Sequence, residues 1–196
     1  MRKVAAAVAV VRQQGKNKKD TKRIRWKTKG GICMKISKKM ESAVNAQMNE
    51  ELFSEYLYLS MSAYFEGENL KGFAHWMREQ AGEEREHAMK FYGFLFDREG
   101  AAVFGSMKKP QTRWTSPLAA FEAAYKHEQY ITDCIHKLHE AAMKEGDKAT
   151  MSMLKWFIDE QVEEEASAKE IADKLKMIGK SVNGLMMLDK KLGKRE

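Results

Sequence analysis

From Met34 onward, apolar residues recur at helical spacing through four long segments and one short one. The first runs from about Lys38 to Glu66 and stops at Gly67, and the second from about Asn69 to Arg98, stopping at Gly100. A third opens on Ser116 and Pro117, a good N-cap followed by a residue suited to the first turn, and extends to about Lys144. Gly146 and Asp147 turn the chain into a fourth segment reaching about Ile178, and "SVNGLMMLDKKLG", Ser181 to Gly193, is a short amphipathic fifth. Between the second and third lies "GAAVFGSMKKPQTRWTSP", Gly100 to Pro117, much longer than the ~2 to 8 residues that join antiparallel neighbours in a bundle. That length predicts a crossover along the bundle, so that the second and third helices are parallel. The fold class is all-α: a four-helix bundle with one long crossover between helices 2 and 3, plus a short fifth C-terminal helix. Two prolines and an abundance of Ala, Glu, Lys, Leu and Met agree with it.

The apolar stripe of each long helix is broken once. Seven residues are close to two turns, so a walk by sevens stays on one face. It gives Val44, Glu51, Tyr58 and Phe65; Met77, Glu84 and Phe91; Phe121, Glu128, Ile135 and Ala142; and Phe157, Glu164, Ile171 and Ile178. Each helix thus aims one carboxylate inward. A boundary glutamate with a covered stem and a solvated head explains any one of them well, but it must be invoked four times to explain all. Four negative charges converging in a low-dielectric core repel one another strongly, so cations are required among them.

Two divalent ions balance four carboxylates. His87, three residues after Glu84, shares its face, and Gln161, three residues before Glu164, offers a neutral amide oxygen. Oxygen-rich ligation with one imidazole and no thiolate suits iron or manganese better than structural zinc. A single Glu-x-x-His spacing is weak by itself; the convergence carries the reading. Tyr58 stands beside the carboxylates, either as a core aromatic or as a redox or hydrogen-bonding partner. His75, His127, His136 and His139 show no such convergence and are expected at the surface or its boundary, and the 14 methionines read as adaptable packing.

The net charge of +7 suggests nucleic acid until it is divided by position. Residues 1 to 33 hold eleven Lys/Arg and one Asp, a net of +10, leaving 24 Lys/Arg against 27 Asp/Glu, a net of -3, from Met34 onward. The basicity belongs to a leader. Its apolar run, Val4 to Val11, is far short of the ~20 residues of a membrane span, and basic residues follow where a signal peptide needs small ones. Cys33 and Cys134 form neither a disulfide framework nor a Cys-x-x-Cys pair, which points to a reducing cytoplasm.

Four stretches, "NAQMNEELFSEYLYLSMSAYF", "FAHWMREQAGEEREHAMKFYGFL", "AAYKHEQYITDCIHKL" and "LKWFIDEQVEEEASAKEIADKL", together resemble bacterial non-haem ferritins, in family order and spacing, from about Met34 to the C-terminus. The resemblance implies a ferritin-like bundle with a dinuclear ferroxidase centre. Glu51, Glu84 and His87 would hold the first iron, with Glu84 bridging to a second held by Glu128 and Glu164, and Gln161 close enough to ligate or to hydrogen-bond bound oxygen. Tyr58 matches the tyrosine beside the centre and Trp156 a nearby aromatic. A third iron site would use Glu83, Glu160 and Glu163, sharing Glu164; Glu83 and Glu160 could equally be solvated charges. The implied function is iron storage: Fe(II) is oxidised by dioxygen or peroxide and deposited as ferric mineral in a cage of 24 subunits, with the fifth helix at the four-fold axes.

Departures from neighbouring families sharpen this. A bacterioferritin would carry a haem-ligating methionine just after the bridging glutamate and a second Glu-x-x-His on the fourth helix; here stand Arg85 and "QVEE", so haem is not expected. Rubredoxin-type cysteine pairs are absent, and every ligand can come from one bundle, unlike the miniferritins. Two alternatives remain at this stage: an iron protein that holds DNA through its basic leader, and a di-iron oxidase acting on an organic substrate.

The leader, residues 1 to 33, has no counterpart in the resemblance. Lys29, Gly30 and Gly31 can be encoded by a purine-rich ribosome-binding sequence, with Ile32 and Cys33 as spacer before a start codon at Met34. Translation is therefore expected to begin at Met34, with the leader as upstream sequence read in frame; a disordered basic tail and a targeting segment are the alternatives. Other codons at these positions would remove that expectation, and a native mass that includes residues 1 to 33 would refute it.

Overall fold

The computed structural model describes residues 35–195. The leader and the start site at Met34 lie outside the described residues. Five helices follow in order: α1 (Lys38–Gly67), α2 (Lys71–Asp97), α3 (Pro117–Glu145), α4 (Lys148–Ile178) and α5 (Val182–Leu192). Two boundaries fall short of the sequence expectation for one reason. Asn69 and Glu99 take left-handed backbone angles, φ 60° and 55°, which end helical hydrogen bonding, so α2 starts at Lys71 rather than Asn69 and stops at Asp97 rather than Arg98. Elsewhere the caps act as their residue types dictate: Ser37, Ser116, Asp147 and Ser181 each accept from a backbone N–H of the first turn, and Gly146, φ 66°, closes α3.

The packed interior comes in two apolar blocks, and the seven-residue stripes run between them. One block contains Tyr58, Phe65, Met77, Phe121 and Ile171. The other contains Val44, Phe91, Ile135 and Phe157. The stripe of α1 therefore passes from the second block to the first, α2 and α3 pass from the first to the second, and α4 returns. Glu51, Glu84, Glu128 and Glu164 sit between. Helix direction follows directly: α1 and α2 are antiparallel, α3 and α4 are antiparallel, and α2 and α3 are parallel, as the long crossover requires.

That crossover, residues 98–116, is a strap held by side chains on α1. Glu41 Oε1 accepts from Ala101 N at 3.2 Å; Asn45 donates to Ala101 O at 2.8 Å and accepts from Val103 N at 2.6 Å; Asn49 donates to Val103 O at 2.9 Å and accepts from Gly105 N at 2.7 Å. Four helical residues advance about 6 Å and two extended residues about 6.6 Å, so side chains at every fourth position of α1 meet every second residue of the strap. Farther along, Ser60 donates to Gln111 O at 2.6 Å. The strap thus runs with α1, carrying the chain back to the end from which α2 began.

The ends are tied as well. Arg98, buried, makes a bidentate pair with Asp147, the N-cap of α4, at 3.0 and 3.2 Å. The N-cap residue of α2, Leu70, has no capping side chain; Asp189 of α5 takes over, accepting from Gly72 N at 2.8 Å and Phe73 N at 3.1 Å. Only glycine allows that approach, because a Cβ on residue 72 would stand 1.7 Å from the Asp189 carbonyl oxygen. Gly72→Ala should therefore push α5 off α2 and cost about 1–3 kcal/mol in denaturant unfolding, with faster tryptic cleavage at Lys190 and Lys191. Unchanged unfolding and cleavage would mean that α5 is not held there.

Candidate metal centre

Between the two apolar blocks each long helix contributes its stripe glutamate: Glu51 from α1, Glu84 from α2, Glu128 from α3 and Glu164 from α4. Each is no more than 5% exposed. His87 and Gln161, one turn along from Glu84 and Glu164, are buried beside them. Glu51, Glu84 and His87 each bring a ligand atom within 4.8 Å of the others, and so do His87, Glu160 and Glu164. Glu128 stands outside both groups, its oxygens engaged by the Tyr58 hydroxyl and by Gln161 Nε2 at 3.4 Å. Glu83 is ion-paired with Arg195 and Glu163 is exposed, so of the three additional acids only Glu160 joins the cluster. Trp156 is 39% exposed and sets its ring edge-to-face on His87, with centroids 5.4 Å apart.

Burial sets the protonation of these groups. Desolvation, aided by neighbouring carboxylates, pushes Glu51 and Glu128 up to about 7 and Glu164 up to about 8, and Glu84 well above the ordinary carboxyl range. Tyr58 is pushed up too, by burial and by Glu128, so it remains a neutral donor. His87 moves the other way, down to about 4, by burial and then by Lys90. Its imidazole is neutral at pH 7, so the 3.8 Å approach of Nδ1 to Glu84 is a meeting of two ligand atoms rather than an ion pair.

Several supporting groups were not found in the sequence. Gln47 donates to Glu51 Oε1 at 2.8 Å, and Gln80 donates to Glu164 Oε2 at 2.6 Å and to Glu84 Oε1 at 3.4 Å. Both lie four residues before a stripe glutamate, and that spacing was the available signal. Gln161 Nε2 also reaches Thr132 Oγ1 at 3.2 Å. His127 is a boundary residue, as expected, yet it is not idle: Nε2 lies 2.7 Å from Ser54 Oγ and its ring meets Tyr58 edge-on at 6.3 Å.

One atom is left over. Glu51 Oε2 is buried and has no hydrogen-bond partner among the described residues. An orphaned carboxylate oxygen beside a neutral imidazole and further carboxylates is a donor set that fits a divalent cation of intermediate hardness, iron among them.

The burial also fixes a pH dependence. Glu128 is raised, so below about 4.5 both folded and unfolded chains keep its proton and its burial carries no charge penalty. As pH rises the unfolded chain ionises first, and stability is lost until the folded value near 7 is passed. His87 and His127, both lowered to about 4, act oppositely below their ordinary value, so the comparison has to be differential. In chelator-treated protein, Glu128→Gln should gain stability over the unsubstituted chain at about 1.4 kcal/mol per pH unit across this window, then level off. A pH-independent difference in chemical denaturation would count against a buried, proton-retaining Glu128.

Comparison with known proteins gives one answer throughout. Residues 41–178 match the ferritin-like domain of the ferritin family. The bacterial non-heme ferritin of Bacteroides fragilis is 42% identical over 160 residues, covering 82% of this chain and 99% of the relative; that of Staphylococcus aureus is 39% identical over 160 residues, covering 82% and 96%. Among solved structures, an open pore ferritin from the hyperthermophilic archaeon Archaeoglobus fulgidus is 50% identical with a TM-score of 0.81, covering 82% of this chain and 99% of that one. A humanized archaeal ferritin is 51% identical, again with a TM-score of 0.81, covering 82% and 98%.

Proposed function

The chain belongs to the ferritin family, and from that premise we propose that it is an iron-storage subunit that oxidises Fe(II) at a dinuclear site inside its own bundle. The observation that carries the reading is the single layer of four buried glutamates, one per helix, with Glu51 Oε2 unpaired and neutral His87 beside it. Fe(II) is the substrate. Glu51, Glu84 and His87 hold one ion; Glu84 bridges to a second held by Glu128 and Glu164; Gln161 and Tyr58 orient Glu128 and offer hydrogen bonds to the oxidant. Each Fe(II) gives one electron to dioxygen or peroxide. Charge attraction grows with oxidation state, so the carboxylates favour the ferric product and thereby electron loss. Protons that Glu51, Glu128 and Glu164 retain near neutrality must leave as iron enters, which links iron uptake to rising pH. A third iron would draw on Glu160 with Glu164.

Fe(III) then hydrolyses to mineral, which requires an enclosed space. Apolar side chains left uncovered on the single subunit support self-association: Tyr56, Leu59, Phe104 and Met107 on α1 and the strap, and Val182, Met186 and Met187 on α5, with Met187 75% exposed. The reading is a homo-oligomeric cage of 24 subunits in the cytoplasm, without haem. No helix among the described residues is long and apolar enough to cross a membrane. The charge of residues 34 to 196, -3, gives no basis for holding DNA.

The test is anaerobic Fe(II) titration followed by oxygen, on protein sized by light scattering. At least two Fe(II) per subunit should bind tightly and be oxidised in a fast phase by a high-mass assembly. Glu84→Ala, which removes a ligand from both ions, should abolish that phase and leave the assembly intact. Fast oxidation that survives in Glu84→Ala would overturn the site.

A further inference from the structure

Past α5 the chain folds back over α2 and delivers Arg195 to the edge of the metal centre. Three contacts anchor it: His75 Nε2 lies 2.8 Å from its carbonyl oxygen, its guanidinium covers the Trp76 ring at 4.6 Å, and Nη1 donates to Gln80 Oε1 at 2.9 Å. Nη2 donates to Glu83. A guanidinium has donors and no acceptor, so Gln80 must turn its oxygen toward Arg195. Its amide nitrogen is then the end that faces Glu164 and Glu84.

We propose that Arg195 is a positioning residue of the metal centre: it sets the orientation of Gln80 and, as a tethered cation on Glu83, keeps a further divalent ion from binding there. The inference rests on the metal-centre reading above. A guanidinium carried on the same chain competes with free ions at high effective concentration, and its planar fork engages Gln80 and Glu83 together, which a spherical ion would have to replace with ligands of its own. Removing Arg195 frees Glu83 and lets Gln80 rotate its oxygen toward Glu164, so that two carboxylates and an amide oxygen become available at one place. Arg195 thereby keeps Glu83 and the Gln80 oxygen out of the ligand set that the other carboxylates and His87 form.

Cobalt(II) tests this, because it resists oxidation by air and its visible absorption counts bound ions independently of iron oxidation. Arg195→Ala should bind one Co(II) per subunit more than the unsubstituted assembly does. Arg195→Lys, which keeps a cation beside Glu83, should return to the unsubstituted number, and Arg195→Ala combined with Glu83→Gln should lose the additional ion. An equal or smaller number in Arg195→Ala, or an additional ion that persists in the double variant, would overturn the proposal. Failure of the unsubstituted protein to bind Co(II) would overturn the metal-centre reading and this inference with it.

Discussion

Four carboxylates buried at one level of an apolar bundle are the constraint on which the molecule turns. Left ionised and unpaired, Glu51, Glu84, Glu128 and Glu164 would oppose folding. The structure answers with donors on every one of them: Gln47 on Glu51, Gln80 on Glu84 and Glu164, Tyr58 and Gln161 on Glu128. These neutral donors lower the penalty without cancelling the charge, and so leave an attraction for cations in place. Three amides and a phenol are weaker partners than lysine or arginine would be. A fully compensated layer would be more stable on its own and would have nothing to offer a metal.

Such a layer forms only if four helices hold rotational register, since one residue of slip turns a side chain by about 100°. Register is secured at the ends rather than in the middle. Arg98 with Asp147 locks α2 to α4, and Asp189 at Gly72 locks α5 to α2. The ladder of Glu41, Asn45 and Asn49 fixes the strap on α1. Apolar blocks above and below supply packing, including stacked Phe65 on Phe73 and Phe91 on Phe157. The middle is thereby free to carry polar groups chosen for chemistry.

Much of this was legible in the order of residues because the signals are periodic and local. Glutamate in place of an apolar residue at the seven-residue step marked the site, and chain reversals at Gly146 and a long span before Pro117 marked the topology. The start of α2 lies two residues past the one its pattern suggests, since Gly67 is the stronger local signal while Asn69 takes the positive φ. Gln47 and Gln80 went unread because an amide one turn from a glutamate is common on solvated helix faces, and only burial separates the two cases. Arg195 lies 115 residues from Gln80, and no local pattern announces a contact of that range. The same is true of Asp189 as a cap for α2.

The α1 ladder touches the strap through its main chain: N–H and C=O of residues 101 and 103, and the N–H of residue 105. Path and identity are therefore decoupled. Glu41, Asn45 and Asn49 dictate where residues 101–105 of the strap run, while Val103 and Phe104 within that stretch stay exposed. The outer surface at residues 103 and 104 can thus be rewritten, altering which copies or neighbours it meets, without disturbing the helix whose opposite face carries Glu51.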